Sequence, residues 1–232
     1  MKKRISDDVR NNRVKKMLDL REEFLKNIND YHVKLQQGNS KTGKIVYTVS
    51  LCPIIDCKNC SKCQVDCYDI NNDCRFPGVI IDRAKNSAIH KADPKRYWME
   101  ISDAIAAKNI EALRINVGGD LVYEDFIYLN IVAKENPGCE LLFFTKSYDD
   151  INRFLSSYKF CANVHPIMSR WCGVPCDNKF ELPESHVLYD DGTTTAPEYG
   201  SIYCGGDCSE CKMVNGGCFG LKNGESVIFK AH

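Results

Sequence analysis

The sequence predicts an α/β protein: a partial (βα) barrel or parallel-sheet fold, opened by an N-terminal helix and finished by an irregular, cysteine-rich, metal-stapled segment. Three observations carry this reading. From residue 44 to 168, β-rich stretches alternate with helical periods, and beyond about residue 170 the alternation stops. Most of the 14 cysteines gather in two groups, one after the first strand and one near residue 210. Successive βα units build a parallel sheet or part of a barrel. The 232 residues, 44% of them hydrophobic, fit one domain with a sizeable core or one domain plus a small appendage. The expected division is an amphipathic helix over 1–35, a βα core over 36–170 and a cysteine-rich segment over 171–232.

Each element has a local cause. Over residues 8–30, Val14, Met17, Leu18, Phe24, Leu25 and Ile28 form a helical stripe with Lys, Arg and Glu opposite. This reads as a docking helix, its basic residues either solvated or touching RNA or a partner. QQGNSKTG, 36–43, supplies turn residues, and KIVYTVSL, 44–51, a strand that runs into Cys52-Pro53. Asp93-Pro94 caps a helix carrying Tyr97, Ile101, Ala104 and Ile105 at helical period. A strand over 112–117 ends in Gly118-Gly119-Asp120, and a helix over 123–135 is stopped by Asn136-Pro137-Gly138. Strands over 140–144 and 162–168 flank a Thr145-Lys146-Ser147 loop and a helix over 149–158. A short strand in ESVIFKAH closes the chain.

Lys+Arg and Asp+Glu are equal at 31 each, so no global charge draws the protein to nucleic acid or an anionic membrane. The polar N-terminus lacks a secretory core, and no apolar run of about 18 residues offers a membrane span. A cytoplasmic location is expected. In a reducing compartment, closely spaced cysteines read as metal ligands and not as a disulfide framework.

CKNCSKCQVDC, residues 57–67, has the C-x2-C-x2-C-x3-C spacing of a bacterial ferredoxin. With the flanking pair it gives six candidate ligands: Cys52, Cys57, Cys60, Cys63, Cys67 and Cys74. That exceeds one tetrahedral zinc site and points to [4Fe–4S] chemistry, with zinc as the alternative. Cys204, Cys208, Cys211 and Cys218 make a second four-thiolate set among turn-forming glycines, a shell that iron–sulfur clusters and zinc both accept. Cys172 and Cys176 read evenly as remote ligands or structural thiols, and Cys139 and Cys161 as buried structural ones. In βα folds ligands gather at the C-terminal strand ends, which places Cys52, Gly118-Gly119-Asp120 and Thr145-Lys146-Ser147 on one rim. Asp120 and Lys146 are therefore the candidate catalytic residues. Arg114 either pairs with a buried carboxylate such as Asp120 or holds a ligand anion. His90, His165, His186 and His232 form no triad or H-E-x-x-H pattern.

The order of the motifs adds a resemblance: Cys52-Pro53, Cys57 and Cys67-Tyr68; Leu113-Arg114-Ile115 before Gly119-Asp120; Thr145-Lys146-Ser147; Cys204 to Cys211; and Phe229 to His232. Over about residues 36–232 the chain resembles the phage gene product 88 domain family. The arrangement is also similar to a compact radical S-adenosylmethionine barrel. That likeness implies Cys52, Cys57 and Cys67 as ligands of an open-site [4Fe–4S] cluster, and Gly118, Gly119 and Asp120 as the S-adenosylmethionine loop. The spacing here is C-x4-C-x9-C, Asp stands where Glu is commoner, and Cys60, Cys63 and Cys74 are additional. The expected function is a redox enzyme with two or more clusters, served by an electron-donor protein and acting on a small molecule. A non-enzymatic electron carrier or sensor, and a zinc-stabilised nucleic-acid or partner-binding module, are the alternatives.

Overall fold

The computed structural model describes residues 5–38, 43, 45–60, 63–208, 211 and 216–231. Helix α1 spans Asp7–Lys26, capped by the Ser6 hydroxyl accepting from the Val9 amide, with Met17 and Phe24 buried. A single 3-10 turn, Ile28–Asp30, follows. Gln36–Gln37 form a short strand, β1, antiparallel to β2 (Val46–Val49), where turn residues were expected. Lys44, the expected start of β2, lies outside the described residues.

Two helices absent from the sequence reading follow the cysteine loop, α2 (Tyr68–Asn72) and α3 (Pro77–Ala92). The inner face of α3 buries Arg83, Asn86 and Ser87 among its apolar residues, so no clean hydrophobic stripe marks it. Asp93 ends α3, and its carboxylate caps α4 (Pro94–Lys108) by accepting from the Arg96 amide. Then come β3 (Ala112–Ile115), α5 (Tyr123–Glu135), β4 (Glu140–Thr145), α6 (Tyr148–Leu155) and β5 (Val164–Ser169), within two residues of expectation at nearly every boundary. Beyond residue 170 the described residues hold three more strands, not one: β6 (Glu184–Leu188), β7 (Ser201–Tyr203) and β8 (Ser226–Lys230).

All eight strands form one sheet in the order β1-β2-β3-β4-β5-β6-β8-β7, parallel throughout except β1. The sheet thus runs unbroken across residue 170. From β2 to β6 each strand lies beside its predecessor, a winding that sends every helical crossover to the same face. That face carries the main core, where Leu113, Ile115, Leu141 and Phe143 meet Trp98, Ile101, Phe126 and Phe154 of α4, α5 and α6. Asp125 ties the helices together, its Oδ1 accepting from Trp98 Nε1 (2.9 Å) and pairing with His90 Nε2 (2.6 Å).

The opposite face is curved inward. Phe144 of β4 and Phe229 of β8 meet edge-on with centroids 5.8 Å apart, although three strand spacings, about 14 Å in a flat sheet, lie between those strands. Val46, Ala112, Leu142 and Ile167 line this face and are covered by Phe219, Leu221, Cys208 and Cys218.

Candidate metal centre

The loop after β2 is locked to the loop after β3. The Leu51 amide donates to the Gly118 carbonyl (2.9 Å), and a Cβ on Gly118 would lie 2.1 Å from Asp69 Oδ2. Gly119, at φ +83°, lies so near Leu51 that its own Cβ would come within 2.6 Å of the leucine's Cβ. Both glycines therefore serve close packing between loops. Asp69, buried at 1% exposure, pairs with Arg83 Nη1 at 2.6 Å.

Asp56 organises the turn that follows. Its carboxylate accepts from the Cys52 amide (2.8 Å) and pairs with Arg21 Nη1 of α1 (3.2 Å), while its carbonyl accepts from the Asp120 amide (2.9 Å). Arg13 of α1 donates to the Ile70 and Asn71 carbonyls near the end of α2. Helix α1 is thus docked as expected, with two of its arginines bracing the cysteine segment.

The six N-terminal cysteines fall into two environments. Cys52 and Cys74 are buried in an apolar cluster with Met17, Ile70, Ile80 and Ala84, and Cys74 accepts from Arg83 Nη1 (3.0 Å). Burial, reinforced by Asp56, pushes the Cys52 thiol well above its ordinary range. Burial and then Asp69 push Cys67 up to about 12. Cys57, Cys60 and Cys63 are half-buried and follow one another around the loop. Cys60 is hydrogen-bonded to both neighbours, and its sulfur lies 3.9 Å from that of Cys63. Those bonds, with burial, raise the Cys60 thiol, whereas the bond from Cys60 and the charge of Lys146 draw Cys63 down to about 6 against its burial. Among the described residues, no three His, Cys, Asp or Glu side chains converge closely enough to hold a metal ion. The three thiols form an open chain and not a closed shell.

This loop docks on the end of β4. Lys58 Nζ pairs with Asp150 (2.7 Å), and Asn59 donates to the Lys146 carbonyl. A cavity of about 550 Å³ lies beside it, lined by Cys57, Cys60, Lys58, Tyr148, Val174 and Asp177 among others. On the other flank the Lys146 ammonium sits 5.4 Å from the Trp171 ring centroid, and Trp171 meets Tyr189 edge-on. Burial, then Asp66, Cys172 and Cys63, raise the Tyr189 phenol, so Cys172 and Cys63 approach the same ring. Cys176 instead lies against Arg170 and Tyr148. Trp171, Tyr189, Asp56 and Asp69 were not singled out from sequence; only the position of Asp56 and Asp69 within the cysteine segment marks them.

Asp120 bridges two loops. Its Oδ1 accepts from Thr145 Oγ1 (2.7 Å) and the Leu121 amide (2.8 Å), its Oδ2 from the Lys146 amide (2.8 Å). Burial raises its carboxyl, and these donors and the Lys146 charge pull it back. Gly118, Gly119, Asp120 and Lys146 thus meet the cysteine loop on one rim. Arg114 does not join them or pair with Asp120. Its strand parity turns it to the inward-curved face, where its guanidinium stacks on Phe144 at 4.9 Å. There burial and Arg114 act in opposition on the C-terminal thiols: burial pushes Cys208 up and Cys218 up to about 12, while Arg114 pulls both down.

Cys139 is buried in the main core and Cys161 packs against it, donating to the Asn130 carbonyl. His90, His165 and His186 lie apart, on Asp125, Glu140 and Thr195. His232 lies outside the described residues.

Fold and site define a class: an α/β protein on a mostly parallel sheet, with a thiol-bearing loop at the C-terminal strand ends. A sequence model of the gene product 88 family matches residues 12–171, well over half of the chain, and the chain belongs to that family. The match takes in α1, which the motif comparison left out, and ends before the C-terminal cysteines. No curated protein and no solved structure matches the chain. Among the described residues no helix is long and apolar enough to cross a membrane.

Proposed function

We propose that this chain is an iron–sulfur redox protein whose reactive centre is held by Cys57, Cys60 and Cys63 at the C-terminal rim of a barrel-like sheet, in the manner of radical S-adenosylmethionine enzymes. The observation that carries the reading is the run of three linked thiols in one loop, two of them lining a 550 Å³ cavity. A cubane has four irons, so three protein thiolates leave one iron for a small-molecule ligand, and the cavity is large enough to admit one. Such a centre supplies electron transfer to a bound substrate. The chain's own residues do the positioning: Lys58–Asp150 and Asn59–Lys146 hold the loop on the turn between β4 and α6 and on α6 itself, and Arg21–Asp56 holds its root. Lys146 brings positive charge to the Cys63 thiol, which favours the thiolate that binds metal. Cys52 lies in the apolar cluster of Met17 and Ile70 and Cys67 packs against it, whereas Cys57 and Cys60 line the cavity, so the ligand set supported here is the contiguous one and not Cys52, Cys57 and Cys67.

A second reading has one observation in its favour. The 3.9 Å separation of Cys60 and Cys63 is close to the edge of a tetrahedron with metal–sulfur bonds of about 2.3 Å, roughly 3.8 Å, as in a single zinc site completed by Cys57 and Cys172. Anaerobic purification and reconstitution separate the two. The iron–sulfur reading expects brown protein with iron and labile sulfide, diminished by one cluster's share on Cys57→Ser, Cys60→Ser and Cys63→Ser, and an electron paramagnetic resonance signal from the reduced rim centre that S-adenosylmethionine perturbs and that this variant lacks. Stoichiometric zinc without sulfide would overturn it. An unperturbed signal would leave an electron carrier or sensor.

A further inference from the structure

A second set of thiols lies on the inward-curved face near Arg114, whose guanidinium stacks on Phe144 and meets no carboxylate among the described residues. The Cys204 amide donates to the Ile228 carbonyl as the chain leaves β7 (2.9 Å), and the Cys211 amide turns back onto the Asp207 carbonyl (3.1 Å). Gly217, at φ +51°, approaches Cys211 so closely that a Cβ there would fall 2.8 Å from that of Cys211, which sets Cys218 beside it. Cys208 and Cys218 pack with Phe219 and Leu221 on Ala112 and Leu142, the neighbours of Arg114 along β3 and across to β4. Below them the Arg114 Nε is buried and donates to nothing, and among the described residues no carboxylate pairs with the guanidinium. The groups facing its charge are the Tyr68 phenol and the thiols of Cys208, Cys218 and Cys204.

A half-buried guanidinium whose Nε is shut off from solvent and meets no anion is unfavourable, and neutral thiols do little to relieve it. Thiolates would, and they form when a metal displaces their protons. We propose that Cys204, Cys208, Cys211 and Cys218 hold a closed four-thiolate centre, a thiophilic divalent ion or an iron–sulfur core, with Arg114 as its counter-cation. Four thiolates around a core of charge +2 leave a dianion, and Arg114 offsets half of it. With every position filled by protein, this centre fastens the C-terminal segment onto β3 and β4. It is independent of the rim reading.

The test uses the full chain carrying Cys57→Ser, Cys60→Ser and Cys63→Ser, so that the two proposals fail separately. After parallel loading with zinc, or with iron and sulfide, this chain is expected to retain metal, and adding Cys208→Ser and Cys218→Ser to abolish it. Iron with labile sulfide identifies a cluster, zinc alone a single ion. Arg114→Gln should speed metal transfer to a chromogenic chelator ten- to a hundred-fold, the usual consequence of losing an outer-shell partner, while Arg114→Lys stays within about threefold. A purely structural arginine would lower the stability of the metal-free chain without changing the transfer rate. No retained metal of either kind, or transfer from Arg114→Gln at the parent rate, overturns the proposal. If the glutamine variant does not fold, Arg114→Lys decides: transfer at ten times the parent rate or more overturns it too.

Discussion

The loop from Cys57 to Cys63 stands at the C-terminal ends of the strands, held by polar contacts with α1, α6 and the loop after β4, with two of its thiols beside a cavity. Cys208 and Cys218 lie on the inward-curved face, packed with Phe219 and Leu221 on an apolar floor and facing the half-buried Arg114. The same ligand type is thus set in two environments. Polar bracing around the first leaves one side open, as a reactive site requires. Apolar contact under the second closes it, as a fastening requires.

The largest expected effect breaks the bracing. Arg83 and Asp69 have side chains 5% and 2% exposed, so Arg83→Met strands a buried carboxylate and should cost about 3–5 kcal/mol in urea unfolding. Gly118→Ala comes next: its Cβ has no room beside Asp69 Oδ2 and the Leu51 carbonyl, and the loss should be ~3 kcal/mol. Gly205→Ala, in the C-terminal segment with nothing within 4 Å, should stay within about 0.5 kcal/mol; an equal loss at both glycines would erase the contrast between the regions. Arg21→Met removes a half-buried, charge-assisted bond to Asp56, about 2 kcal/mol, and should lower metal at the rim while leaving C-terminal metal unchanged.

The smallest effect lies in the helical layer, away from both regions. Although burial opposes it, the bond and charge of Asp125 hold the His90 pKa above its ordinary value. The stabilisation is therefore complete below the ordinary histidine range, near pH 6.5, and is lost as pH rises through the folded-state value. For one proton the slope is at most about 1.4 kcal/mol per pH unit. His90→Gln should remove this dependence in unfolding curves taken between pH 5.5 and 8.5, with no change in metal at either site.

What was legible in the sequence is what local chemistry dictates. From β3 to β5, strands and helices follow from period and from Asn-Pro-Gly or Asp-Pro punctuation. Helix α3 was hidden because Arg83, Asn86 and Ser87 are buried for long-range reasons: Arg83 pairs with Asp69, and Asn86 bonds to the Lys34 and Ser50 carbonyls. Strands β6 and β7 were hidden because they are short and isolated between turns. Cysteine spacing located both thiol groups, but spacing is blind to burial, which divides Cys52 and Cys74 from Cys57, Cys60, Cys63 and Cys67. Arg114 was assigned to the rim because a strand residue reads the same on either face until its parity against the helices is known.

The order β8-β7 at the end of the sheet also fixes a sequence of events in time. Strand β7 pairs with β8 alone, and β8 is synthesised after it, so residues 201–203 have no template while they emerge from the ribosome. That template is set when Ser226–Lys230 pairs with β6 and Phe229 meets Phe144. Strand β8 is therefore the bridge of this end of the sheet, the one element through which an earlier strand is joined to the rest.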